Sequence, residues 1–294
     1  NGFGAFHTAP PSGYLALCTA NITEPTIGPN SSSQATDYFN TVLYSGDDST
    51  NAITVGFKPD FVWLKRRTAT SSHRLYNSLT YGGPYSAGAS GSIYLKANAT
   101  TGDTAGTANS LISLDANGFT VHGGGGDTNN DGDTYVTWNW KANGGTATAT
   151  ISESGNNPAA VVQANPTAGF SIITYTGTGA NGTIAHGLGV VPKLMIFKNR
   201  DATDDWVIYH GANTAAPATD HLHLNNTLNT ADDATYFNDT EPTSSVFTIG
   251  THVGINTDAE AYVAYVFAEI EGYSKFGGYV GNESSDGTFV FTGF

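Results

Sequence analysis

Charge is what this chain has least of. Lys and Arg number 11 and Asp and Glu 25 among 294 residues, so 12% of the chain is charged, against roughly 25% in ordinary globular proteins. The formal net charge is −14, and the cations are scattered apart from "LKRR" at 64–67. Neutralising a phosphate backbone or an anionic membrane takes grouped cations. Nucleic acid is therefore excluded as a partner, and the basic run reads as a strand end turning into solvent. One cysteine, Cys18, excludes an internal disulfide framework and fits a small buried hydrophobe. No run approaches the ~18 consecutive apolar residues that suggest a spanning helix, so no membrane insertion is expected. Sustained 3.6-residue apolar spacing is missing too, which argues against helices as the main elements.

Catalytic signatures are also lacking. There is no G-x-S-x-G elbow, P-loop or dinucleotide fingerprint, and "GDDST" and "GGGGD" are glycine turns that open no helix. The adjacent carboxylates Asp204/Asp205 and Asp232/Asp233 would point to opposite faces of a strand, whereas a glycosidase needs two carboxylates facing across a cleft. The reading is non-enzymatic, with no cofactor apart from the cation considered below. The chain opens on "NGFGAF", with neither an initiator Met nor a charged-then-apolar leader. The expectation is the interior of a longer polypeptide.

What is present is a hydrophobic content of 39%, aromatics at 12%, and polarity carried by Gly, Thr, Asn and Ser. That is enough apolar material for one large core or two modest ones. Self-similarity organises it. "YFNTVLYSGDDSTNAITVGFKPDFVWLKRR" from Tyr38 shares a skeleton with "GFSIITYTGTGANGTIAHGLGVVPKLMIFKNR" from Gly169. Phe39 matches Phe170, Tyr44 matches Tyr175, Gly46 matches Gly177, Lys65 matches Lys198 and Tyr76 matches Tyr209, the offset moving only from 131 to 133. Further on, "GFTVHGGGGDTNNDGDTYVTWNWK" pairs with "VFTIGTHVGINTDAEAYVAYVFAE", setting Tyr135 on Tyr262 and Trp140 on Phe267. A third echo begins in "KFGGYVGNESSDGTFVFTGF" and would place Gly293 and Phe294 over Gly56 and Phe57.

Within each copy, five- to eight-residue runs rich in Val, Ile, Tyr, Phe, Trp and Thr lie between Gly, Asp, Asn and Pro turns. The expected fold class is all-β: two tandem antiparallel β-sandwich modules, jelly-roll-like, with the start of a third. The organisation is an extended N-terminal segment over 1–36, module 1 over 37–145, a linker over 146–168 with an exchanged strand at "AAVVQAN", module 2 over 169–273, and closing strands or a third module over 274–294. The repeated aromatics are assigned to the cores.

Two clusters are candidates for ligands. Asp127, Asn129, Asp131 and Asp133, with Gly132, follow the first half of a calcium loop, in which alternating oxygens face one cation and glycine permits the sharp turn. The twelfth position, where a bidentate Glu belongs, is Trp138. The opposing reading is a Gly/Asn/Asp turn built from residues tolerant of left-handed backbone. His221 and His223 in "HLHL" share one strand face at a metal-ligating spacing, without a third ligand nearby in sequence.

Taken together, "APPSGYLALCTANITEPTI", "YFNTVLYSGDDST", "VGFKPDFVWLKRR", "HRLYNS", "TYVTWNWKANGG" and "GFSIITYTGTGANGTIAHGLGVVPKLMIFKNR" resemble tandem β-modules of long virion proteins of tailed, especially marine, bacteriophages. In those proteins a "PPSGYLALCTAN"-like segment often follows a SPRY or concanavalin-like domain. The resemblance implies a virion structural or adhesive component on the particle surface, usually a tail fibre or appendage. Its partners would be other virion proteins and copies of itself, in a homo-oligomer such as a trimer, with a host-surface glycan as ligand. It carries no catalytic or ligand residues across. The acid-rich "DTNNDGD" departs from the shorter turns of such proteins and leaves room for a private Ca²⁺ site. Against the adhesive reading stand a purely structural role, as capsid decoration, head fibre, filament or surface-layer subunit, and more remotely a glycan-cleaving module.

Overall fold

The structure is a computed structural model that describes residues 25–28, 31–80, 91–107, 110–123 and 126–292. His7, Cys18, most of the expected N-terminal segment and the Gly293–Phe294 echo lie outside the described residues.

A short 3₁₀ turn, Ala35–Asp37, leads into nine strands: β1 (Phe39–Ser45), β2 (Thr50–Thr54), β3 (Phe61–Arg66), β4 (Arg74–Asn77), β5 (Gly91–Lys96), β6 (Thr104–Gly106), β7 (Leu111–Asp115), β8 (Gly118–His122) and β9 (Thr134–Trp140). Ten more follow: β10 (Ala149–Ile151), β11 (Ala160–Asn165), β12 (Phe170–Thr176), β13 (Gly182–Ala185), β14 (Pro192–Asn199), β15 (Val207–His210), β16 (Asp220–His223), β17 (Ala231–Asp232), β18 (Val246–Ile249) and β19 (Ala261–Ala268). Two single-turn helices, α1 (Ala234–Phe237) and α2 (Val253–Asn256), flank β18. The fold is all-β, and every ladder is antiparallel.

The repeat read from the sequence recurs in the ladders. One large sheet runs β1-β9-β3-β4-β5-β6, and the other carries the same order, β12-β19-β14-β15-β16-β17. The register is conserved between the copies: Phe39 faces Trp140 where Phe170 faces Phe267, and Phe61 faces Asn77 where Leu194 faces His210. Across the smaller sheets, β2-β8-β7 and β13-β18, Ile53 faces Phe119 where Ile184 faces Phe247. The copies part at β7, whose counterpart in the second module is replaced by α1 and the loop after it.

Period-two alternation explains the layers. In β3, Val62 and Leu64 point into the core under the three-stranded sheet while Phe61 and Trp63 point to the other face. In β19, Tyr262, Ala264 and Val266 join the second module's core while Val263, Tyr265 and Phe267 face away from it. Those two outward faces meet. Phe61, Leu75 and Leu95 pack with Phe170, Ile172, Trp206, Val263 and Tyr265 in a third core shared by both modules. The result is four stacked layers, with the two large sheets innermost.

The segment 146–168, expected to be a linker, is built into the second module. Its β10 and β11 extend the large sheet beyond β12, with Val162 facing Ile173. The strand foreseen at "AAVVQAN" is β11, and it adds to its own chain's sheet. Residues 277–292 are all exposed and form no strand.

Candidate functional site

The loop from Asp127 to Asp133 closes the end of module 1 between β8 and β9. Asn129 is fully buried; its Nδ2 donates to Asp47 Oδ1 at 2.9 Å and to the Ser49 carbonyl at 2.8 Å, and its Oδ1 accepts from Asn51 Nδ2 at 3.2 Å. Asp127 meets Arg74 Nη2 at 2.5 Å and accepts from the Ser71 hydroxyl. Burial pushes the Asp127 carboxyl up, but Ser71 and Arg74 outweigh it and hold it below the usual range. Asp133 is held low by the Thr68 hydroxyl and then by Arg66, whose Nη2 lies 2.5 Å away. Asp131 is exposed, and its N–H donates to Asp48.

The four predicted ligands are thus neighbours in the loop, but they do not converge on a common point. Asp127 is engaged by Arg74, Asp133 by Arg66 and Asn129 by the β1–β2 turn. Among the described residues no group of three or more His, Cys, Asp or Glu side chains is arranged to hold a metal ion. The second module reveals what the loop does. Asn256 stands where Asn129 does, buried, donating to the Ala180 and Gly250 carbonyls and accepting from Thr178 N–H. Asp258 and Glu260 stand in register with Asp131 and Asp133. The left-handed turn is repeated as well, at Gly132 (φ 77°) and Ala259 (φ 63°). Tyr135 and Tyr262 each accept an N–H from this loop, Asn130 and Thr257 respectively, and each stacks on its β1-type partner, Tyr44 at 5.0 Å and Tyr175 at 5.2 Å. Where Asp133 pairs with Arg66, Glu260 accepts from Asn199 Nδ2 at 2.6 Å. The acids therefore pin the end of the third strand of each module. Asp127 with Arg74 is the contact private to module 1.

His221 and His223 do share a strand, β16, with ring centroids 5.0 Å apart. His221 is buried and stacks on Tyr236 at 3.8 Å, and Tyr236 stacks in turn on His252 at 3.9 Å. His252 Nδ1 accepts from Gly254 N–H and caps α2, while His223 Nδ1 lies 3.9 Å from Asp205 Oδ2. Burial lowers the pKa of both His221 and His252. Of the two carboxylate pairs, Asp204 accepts from Asn199, Asp205 from Asn225 and Asn226, and Asp233 caps α1 through Thr235.

The feature that sequence reasoning missed lies at the seam between the modules. A half-open cleft of about 290 Å³ is walled by Phe39, Trp63, Trp140 and Phe267, with Tyr273 and Phe276 at its C-terminal side. The aromatics come from the faces of β1, β3, β9 and β19 that lie beyond either sandwich core. Its hydroxyl groups are those of Tyr273 and Ser274, and its lining has no carboxylate, imidazole or amine. Such a surface can hold an apolar face or the C–H face of a ring, with a hydroxyl at hand for orientation; it offers no acid–base pair. A trace of it was present in the sequence: "FVWL" in β3 and "AYVAYVFA" in β19 are apolar at consecutive positions, which marks strands buried on both faces.

A protein-family model described as a domain of unknown function (DUF7483) matches residues 34–294. No curated protein and no solved structure matches the chain.

Proposed function

The chain belongs to the DUF7483 family, a domain of unknown function, and on that premise we propose that it is a non-enzymatic structural module of a bacteriophage virion, of the tail-fibre or appendage type, that contributes to attachment at the host surface. The observation that carries this reading is the duplication itself. Two copies of one sandwich share strand order and register and are fused through an aromatic core, while Asp127, Asp133 and Asp103 pair internally with Arg74, Arg66 and Arg200. A rigid double module with a neutral polar exterior suits a particle that meets envelope sugars many times over, where avidity outweighs single-site strength. The ligand class is a host-surface glycan, taken on the aromatic walls of the seam cleft.

Immunogold electron microscopy with antibody against this chain, on virus particles and cells of its source, tests the location. Gold at tail tips or fibres is the expected outcome; gold over heads or cell surfaces overturns the appendage reading. Titration with envelope polysaccharide tests the ligand: saturable quenching of tryptophan fluorescence is expected, and it should be lost in Trp63→Ala. The alternative is a purely structural role, as capsid decoration, head fibre, filament or surface-layer subunit.

A further inference from the structure

Trp63 lines two clefts. The second, of about 380 Å³, falls within the ~300–1,000 Å³ of ligand pockets. Module 1 supplies Trp63 from β3, His73 at the start of β4 and Asn98 beyond β5; module 2 supplies Asn225, Asn226 and Thr227 from the loop after β16. Its chemistry differs from that of the aromatic cleft. Three carboxamides and a hydroxyl stand beside an indole and an imidazole. Among the described residues its lining has no carboxylate, ammonium or guanidinium group.

The polar groups are held in place by bonds behind them. Trp63 Nε1 donates to His73 Nδ1 at 2.8 Å, which leaves the ring proton of a neutral imidazole on Nε2. Burial, and to a lesser extent the charge of Lys65, lowers the His73 pKa, so the ring is neutral at pH 7. Asn98 Oδ1 accepts from His73 N–H at 3.0 Å. On the facing wall Asp205 accepts from Asn225 Nδ2 at 2.6 Å and from Asn226 Nδ2 at 3.1 Å. Asn225 Oδ1 accepts from Trp206 N–H and Asn226 Oδ1 from Leu228 N–H. Each of these bonds uses one of a carboxamide's two N–H hydrogens or one of its two carbonyl lone pairs. A ligand that meets the remainder finds donors and acceptors already oriented, which lowers the ordering cost of binding.

The repeat separates this cleft from the joinery common to both modules. At the positions of Trp63 and His73 the second module has Ile196 and Trp206. Trp206 is fully buried, so the indole–imidazole pair is private to module 1. An ionic ligand would find no counter-charge in the lining, and a wholly apolar one would strip water from the carboxamides without replacing its hydrogen bonds. A ligand with one C–H face and a rim of neutral hydroxyls satisfies both surfaces.

We infer that this cleft is the subsite for a neutral pyranose unit, with Trp63 against the C–H face of the ring and Asn98, Asn225, Asn226 and Thr227 bonding its hydroxyls. The inference rests on the glycan reading above and deepens it, Trp63 being the wall common to the two clefts.

Titration of the 294-residue chain with envelope polysaccharide and with methyl pyranosides, followed by NMR, tests it. The His73 Cε1–H resonance should move along the same saturation curve as the tryptophan fluorescence, because His73 lines the second cleft and not the first. Asn98→Asp keeps the acceptor for His73 N–H and removes the amide donors; Thr227→Val keeps the side chain's shape and removes the hydroxyl. Each should weaken binding roughly 3- to 10-fold, the worth of one hydrogen bond. If either variant melts early, the His73 shift in the native chain decides. Saturable binding that leaves the His73 resonance unmoved, or that well-folded variants retain at native affinity, puts the sugar elsewhere and overturns this inference while the glycan reading stands. A native chain that binds none of these saccharides overturns both.

Discussion

Asn129 and Asn256 hold the same place in the two modules, and each ties a loop to the turn after the module's first strand. Both are fully buried and satisfied through both ends of the carboxamide. Truncating either to alanine leaves buried partners unpaired, which costs about 1–3 kcal/mol. Urea denaturation should show losses of similar size for Asn129→Ala and Asn256→Ala, since the two sites are built alike. The same geometry bears on the calcium expectation. Asp127 and Asp133 are already paired with Arg74 and Arg66, so a cation would have to displace two guanidinium groups. Melting temperature should therefore be unchanged by millimolar Ca²⁺ or by a chelator; a rise of several degrees on adding the ion would show that it is held there. Acid spacing alone could not reveal this, because Arg66 and Arg74 reach the loop from β3 and β4, distant in sequence.

At the scale of elements, the edge of module 2 around α1 and α2 is held by an imidazole–phenol–imidazole stack, His221, Tyr236 and His252. Burial lowers the pKa of His221 and His252 and likewise of His186, whose Nδ1 accepts from Leu188 N–H. Charged groups also face the stack: Asp233 and Asp220 raise the pKa of His221 and Asp233 and Asp204 raise that of His252, while the histidines oppose one another. Folded-state values lie below the ~6.5 of an unfolded imidazole. Below that pH the unfolded chain binds more protons than the folded one, so stability is full above about pH 7 and declines as pH falls through the mid-6 range. Thermal melts from pH 7.5 to 5 should show this decline, and His252→Asn, which keeps a cap acceptor without the titrating ring, should make it shallower, with His221 and His186 supplying the remainder. A melting temperature constant across the range would refute the assignment. The pairing of β11 with β12 belongs to this scale too. Its apolar run "AAVVQAN" was visible, but its partner strand is chosen by which edge lies open.

For the whole molecule the decisive feature is the core between the large sheets. Polar contacts fasten the same seam: Lys198 Nζ donates to the Thr100 carbonyl at 2.8 Å, Arg200 pairs with Asp103 at 2.6 Å, and the Trp206 indole donates to the Lys96 carbonyl at 2.9 Å. Burial lowers the Lys198 pKa to about 8, the cost of placing the repeat's lysine inside a joint. Modules so joined should unfold as one unit. Calorimetry should give a single transition for the native chain, and Phe61→Ala, at 2% exposure and 4.3 Å from the Tyr265 ring, should cost about 3–5 kcal/mol. Two resolved transitions in the native protein would mean that the seam contributes little.

The sequence by itself determined the all-β class and the duplication, because period-two patterning and turn residues act locally and a repeat copies them unchanged. Tertiary structure alone decided that the second faces of β3 and β19 meet each other and that the loop acids answer arginines from neighbouring strands. It also decided that β11 covers β12. Each of these depends on which surfaces the chain brings together across a hundred residues or so, and an apolar or charged side chain reads the same in sequence whichever partner it finds.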